Sequence, residues 1–228
     1  MRRIRALRQP LPRLLITLVV CAAPLLSLRA QEPELPWDQR FGLPWYERQA
    51  EAGDVRAMYL AGQLLERGIG TAADPARAQA WYGRAAEAGH AEAQYRLALS
   101  LQRGSAASPD LTEAARWYEA AAEQGLPQAQ YNLALMLEQG QGRPKDPAAA
   151  AALYRSAVQA GIARAALDLG GLHHGGRGVD KNLVEALAWY DYAARAGVLG
   201  AEILRDRLAG EVTQPEREQA ARRAAALP

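Results

Sequence analysis

The chain has almost no cysteine. Cys21 is the single one among 228 residues and sits in an N-terminal apolar stretch, so no disulfide can tie the rest together and packing must supply the stability. Histidine is nearly as scarce, with His90, His173 and His174 the full set of three. His173 and His174 are adjacent, so on a helix they point about 100° apart and cannot share one metal. With no cysteine to complete a ligand set, no metal site is expected, and the three read as one core-edge and two solvated residues. No Gly-x-Ser-x-Gly elbow occurs, which removes the usual signature of a Ser-His-Asp hydrolase. Ser100, Ser105, Ser108 and Ser156 are expected to share no common environment. The Gly-x-Gly turns follow helical patterns rather than strands, so they do not read as phosphate loops. No cofactor is expected. The longest apolar run, Leu14 to Leu28, is 15 residues and broken by Pro24, short of the ~20 needed to span a bilayer.

That run forms part of a three-part N-terminal pattern. Arg2, Arg3, Arg5, Arg8 and Arg13 precede it without an acidic residue, and Ala30 follows before Gln31. Basic start, apolar middle and small residue make a secretory signal peptide over 1–30, with cleavage expected after Ala30 and the mature chain periplasmic or secreted. Retention as a membrane anchor is the alternative, and the only reading that involves a membrane. Removing the segment takes six of the 27 Lys and Arg and none of the 25 Asp and Glu, leaving a net charge of −4. A mildly acidic mature chain carries no electrostatic footprint for nucleic acid. Residues 31–44, with Pro33, Pro36 and Pro44, read as an extended leader in which Trp37 or Phe41 could pack on the first helix.

What the sequence does have is a period of 36 residues. Aromatic pairs stand at Trp45-Tyr46, Trp81-Tyr82, Trp117-Tyr118 and Trp189-Tyr190, with Leu153-Tyr154 in step. A glycine follows each pair at Gly53, Gly89, Gly125, Gly161 and Gly197, then an alanine at Ala57, Ala93, Ala129, Ala165 and Ala201. Such a period means stacked supersecondary units. Four full units are drawn at 54–89, 90–125, 126–161 and 162–197, with half units at either end of a solenoid spanning 45–210, and a polar capping helix in 211–228. The punctuation supports a helix-turn-helix in each unit. Gly104 ends a first helix, and Asp110 with Glu113 opens the second as a capping box. Asp74-Pro75 and Asp146-Pro147 place a cap before proline at the first helical position. Asn182 with Glu185, and Thr213 with Glu216, are further boxes. The Trp-Tyr pairs at strict period read as intra-repeat core. Gly62, Ala98, Ala134 and Gly170 mark a column where helices approach closely.

The unit Ala93-Gln94-Tyr95-Arg96-Leu97-Ala98 … Gly104 … Ala114 … Trp117-Tyr118 … Ala121-Ala122 … Gly125 resembles the Sel-like repeat, a relative of the tetratricopeptide repeat, over about 45–210. Departures are local: Leu153 for Trp, His173 where Tyr is usual, and Ser105-Ala106 in place of the second glycine seen in Gly68-Ile69-Gly70 and Gly140-Gln141-Gly142. The resemblance implies an all-α, right-handed superhelix of antiparallel helix pairs, a scaffold for other proteins, and a concave surface lined by the first helix of each unit. Carried over column by column, the candidate face comprises Tyr59, Tyr95 and Tyr131, with Leu167 next. Beside them lie Gln63, Leu99 and Leu135, then Glu66, Gln102, Glu138 and His174, and finally Arg67 and Arg103. Tyr and Arg are enriched at binding hot spots, and such a row suits an extended peptide or partner helix.

The expectation is therefore an exported, monomeric adaptor that binds a protein or peptide and is not an enzyme. A cell-envelope hydrolase built on the solenoid and a secreted host-interaction factor are the alternatives. An enzyme should show one unit departing from the repeat with clustered polar groups, and the departure noticed is 171–178, which adds glycine and histidine without an acid or nucleophile.

Overall fold

The computed structural model describes residues 42–228, and every regular element among them is a helix. Cleavage after Ala30 and packing by Trp37 or Phe41 fall outside the described residues. The helices are α1 Leu43–Glu51, α2 Val55–Arg67, α3 Pro75–Glu87, α4 Ala91–Arg103, α5 Leu111–Glu123, α6 Pro127–Gln139, α7 Pro147–Gln159, α8 Ala163–Gly175, α9 Leu183–Arg195, α10 Ala201–Ala209 and α11 Gln214–Ala225. From α1 to α10 each packs on its neighbours in sequence, and α11 returns to cover α9. The result is an α-solenoid.

The boundaries follow from local chemistry. Asp54, Asp74, Asp110, Asp146 and Asn182 each accept an amide hydrogen from the first turn of the helix they precede. The second half of the expected box at Asp110 does not form, because Glu113 turns instead to Arg116 at 2.6 Å. At Thr213 the reciprocal bond is made: Glu216 accepts the Thr213 backbone N–H at 2.8 Å. Every first helix of a full unit ends at a left-handed glycine, Gly68, Gly104, Gly140 or Gly176, with φ between 63° and 74°, where a side chain would be strained.

The alanine columns are the close contacts between layers. Ala93, Ala129, Ala165 and Ala201 are fully buried, as are Ala98 and Ala134. Where glycine takes the latter column, the next helix's tyrosine moves in: a Cβ on Gly62 would stand 2.6 Å from a Tyr82 ring carbon, and one on Gly170 2.7 Å from Tyr190.

One expectation needs correction. The aromatic pair enters the core as a unit only at Trp81-Tyr82 and Trp189-Tyr190. Tyr46, Tyr82, Tyr118, Tyr154 and Tyr190 are all buried, Tyr118 and Tyr154 completely. Trp81 and Trp189 are buried too, but Trp45, Trp117 and Leu153 are half-exposed. Adjacent helical residues diverge by about 100°, so only one of each pair can face the partner helix. Tyrosine holds that place, and Trp117 lies at the edge beneath the Arg116 guanidinium, 4.7 Å from the ring centroid. Trp117→Ala is therefore expected to cost only about 1–3 kcal/mol, below the full-burial range. Chemical denaturation read by far-UV circular dichroism checks this, and a loss above that range would return Trp117 to the core.

Candidate functional site

Each buried second-helix tyrosine must satisfy a hydroxyl, and three do so on the preceding first helix. Tyr82 donates to Glu66 at 2.6 Å, Tyr118 to Gln102 at 2.8 Å and Tyr154 to Glu138 at 2.7 Å. Burial holds these phenols far above the ordinary tyrosine range, so they remain donors. At the fourth unit His174 meets Tyr190 edge-on, with centroids 6.4 Å apart. Glu66, Gln102 and Glu138 thus tie three of the helix pairs together. The Glu138 link extends to the next unit, where Arg177 donates to it at 2.8 Å.

The remaining face residues separate by unit. Tyr59 and Gln63 are 4% and 0% exposed and cannot touch a partner. His90 stacks on the Tyr59 ring at 4.7 Å between centroids, and Gln63 donates its amide to the Tyr59 hydroxyl at 2.6 Å. Leu167 is also buried. In the two middle units Tyr95, Tyr131, Leu99 and Leu135 are half-exposed and Arg103 is exposed. Arg67 is exposed as well. Tyr131 is oriented by a 3.0 Å bond to Asp168 in the next unit. The stripe is thus accessible along α4 and α6 and closed at α2 and α8.

Of the three histidines, His174 keeps a side chain 38% exposed, while His90 is more withdrawn at 22%. His90 caps α4, its Nδ1 accepting the Ala93 N–H at 3.3 Å. His173 and His174 are half-buried, and Nδ1 of His173 is buried without a partner among the described residues. Burial pushes His90 and His173 below the ordinary value of 6.5. The folded state therefore resists protons that the unfolded chain accepts. The contribution of these two histidines to stability is full above pH 6.5, falls as the pH drops below it, and is lost once the folded pKa is passed. His90→Asn keeps the cap without the titration. It should flatten this acid-side slope in part, leaving the His173 share, as read by thermal melts across the window; an unchanged slope would remove His90 from the effect.

Among the described residues, no group of three or more His, Asp or Glu is placed to hold a metal ion, and no helix is long and apolar enough to cross a membrane. Ser100 and Ser105, expected to be unrelated, line one small cleft beside Leu99 and Arg103.

This architecture has relatives. The Sel1 repeat model matches residues 55–90, 91–126, 127–162 and 163–198 in unbroken succession. The chain belongs to the Sel1 repeat family. Its units begin one residue later than those drawn from the sequence pattern. None of the curated proteins compared matches the chain. Among solved structures, a Sel1 repeat protein from Oxalobacter formigenes is 27% identical, with a TM-score of 0.66 over 79% of this chain and 81% of that one. A protective antigen of uropathogenic Escherichia coli with the same repeat fold is also 27% identical, with a TM-score of 0.52 over 80% of this chain. The present chain spans 47% of that antigen's length. Sel1 repeat proteins generally act as scaffolds for protein–protein interaction.

Proposed function

We propose that this Sel1 repeat protein is an exported adaptor that captures an extended peptide of a partner protein along α4 and α6. The observation that carries the reading is the half-exposed stripe of Tyr95, Leu99, Tyr131 and Leu135 with Arg103 at its edge, on helices whose opposite side is buried through Ala93, Leu97, Ala98, Ala129, Leu133 and Ala134. Aromatic anchors on a rigid scaffold lose little entropy on binding. The basic, apolar and small-residue order of 1–30 supports export, and the E. coli relative's role as a protective antigen agrees with it.

The test uses glutamine, which the same column already tolerates at Gln63. Leu99→Gln with Leu135→Gln should leave the melting midpoint close to the parent's and abolish capture of envelope proteins in a pull-down read by mass spectrometry. A normally melting variant that captures every parent partner would overturn the face. Amino-terminal sequencing tests export: the envelope form should begin at Gln31, and a membrane-bound form retaining Met1 would show an anchor instead.

A further inference from the structure

Three turns between first and second helices face the second helix of the preceding unit, and they do not fit alike. Gly142 sits against the backbone of Leu111 and Thr112, and Gly178 against that of Pro147 and Ala148. A Cβ at either would overlap main-chain atoms. At the remaining junction the same column holds Ala106, whose methyl cannot make that approach, and a cleft of about 200 Å³ opens there between α3 and α4. Pro75, Gln79, Ser100, Arg103 and Ser105 line it.

The lining also breaks the repeat. The column of Ser100 is otherwise Leu64, Met136 and Leu172, all buried. The column of Gln79 is otherwise Leu43, Ala115, Ala151 and Leu187, again all buried. One junction has thus exchanged an apolar pair for a polar one, and Ser100 donates to Gln79 Oε1 at 2.7 Å. That bond leaves the Gln79 Nε2 donor without a partner among the described residues. Arg103 likewise has no ion-pair partner among them, whereas Arg77 and Arg177 are paired with Glu47 and Glu138 at 2.5 and 2.8 Å. Glu66 also borders the cleft, but its carboxylate already accepts from Tyr82 and lies 3.9 Å from Arg96. Arg103 is the cleft's uncompensated cation.

We propose that this cleft receives an Asp or Glu side chain of the bound peptide. The inference rests on the α4–α6 face, which it adjoins through Leu99 and Arg103. The space is smaller than the roughly 300–1,000 Å³ of small-molecule sites and suits one side chain. Arg103 offers a planar fork to a carboxylate, with Gln79 Nε2 and the Ser105 hydroxyl as further donors, so a charge entering the cleft meets partners. Ala78, Leu99 and Tyr82 supply apolar wall for the methylenes.

The probe is a pair of capped pentapeptides, Leu at the flanking positions and Glu or Gln at the centre, titrated into the isotope-labelled protein with NMR detection. The Glu peptide should bind roughly tenfold or more tightly, as a hydrogen-bonded charge implies, and should shift the Gln79 side-chain amide and the Arg103 Nε signal. Restoring the repeat with Ser100→Leu and Ala106→Gly fills and closes the cleft. That variant should melt at or above the parent temperature and lose the Glu preference while keeping weak contacts at Tyr95 and Tyr131. Should it fold poorly, Arg103→Gln must show the same loss. Equal binding of the two peptides with shifts on the face, or a Glu preference that survives both variants, overturns the cleft and leaves the face standing. No shift on the face with either peptide overturns both.

Discussion

Replacing Tyr118 by alanine is expected to destabilise the protein by about 3–5 kcal/mol, the range for removing a fully buried aromatic ring. Its ring is completely buried and packs at 5.9 Å from that of Tyr95. The substitution also strands the Gln102 acceptor, which then loses its 2.8 Å partner. Tyr118→Phe separates the two contributions, since it keeps the ring and should cost about 1 kcal/mol for the hydrogen bond alone. In a solenoid each unit is stabilised by its neighbours. The alanine variant is therefore expected to unfold in more than one step, with the units around α5 exchanging amide protons first. Urea denaturation with hydrogen exchange reads both effects. A loss below about 0.5 kcal/mol, the scale of a surface change, would show that the tyrosine column does not hold the repeats together.

The second large effect belongs to a glycine. Gly142→Val should cost roughly 2–5 kcal/mol, combining a left-handed backbone at φ 67° with overlap against the Leu111 carbonyl. Gly53→Val is the control. It too has a positive φ, 96°, yet a Cβ there would meet no atom within 4 Å, so it carries strain without overlap and should cost about 1–3 kcal/mol. Equal losses from thermal melts would mean that turn seating between units contributes nothing.

The repeat was legible because the same few interactions recur. Glycines with forced φ, aspartate caps and alanine contacts each demand one residue type, and a period of 36 residues repeats the demand in every unit. The order within the Trp-Tyr pair was not legible. Periodicity shows that both residues recur at a fixed place in the unit, and says nothing of which one points inward. The face was legible only as columns. Closure of Tyr59 by His90 is a contact with the cap of the next helix, α4, that needs coordinates to see. The cleft did leave a trace, since Ser100 breaks a column of Leu64, Met136 and Leu172, and Ser105-Ala106 breaks the turn. Each break taken singly is unremarkable. Their meeting with Gln79 and Arg103 at one junction gives them a chemical meaning.

Site-specific photo-crosslinking tests the central claim most directly, namely that the α4–α6 face is the surface which meets a partner. A benzophenone amino acid is placed at Leu99 or Leu135 on that face, and at the exposed second-helix positions Ala80 or Ala152, in cells that make the protein. Crosslinks from positions 99 and 135 to one shared protein, with none from 80 or 152, are the result predicted. Crosslinks confined to 80 and 152 would contradict the account and move the binding surface to the other layer of helices.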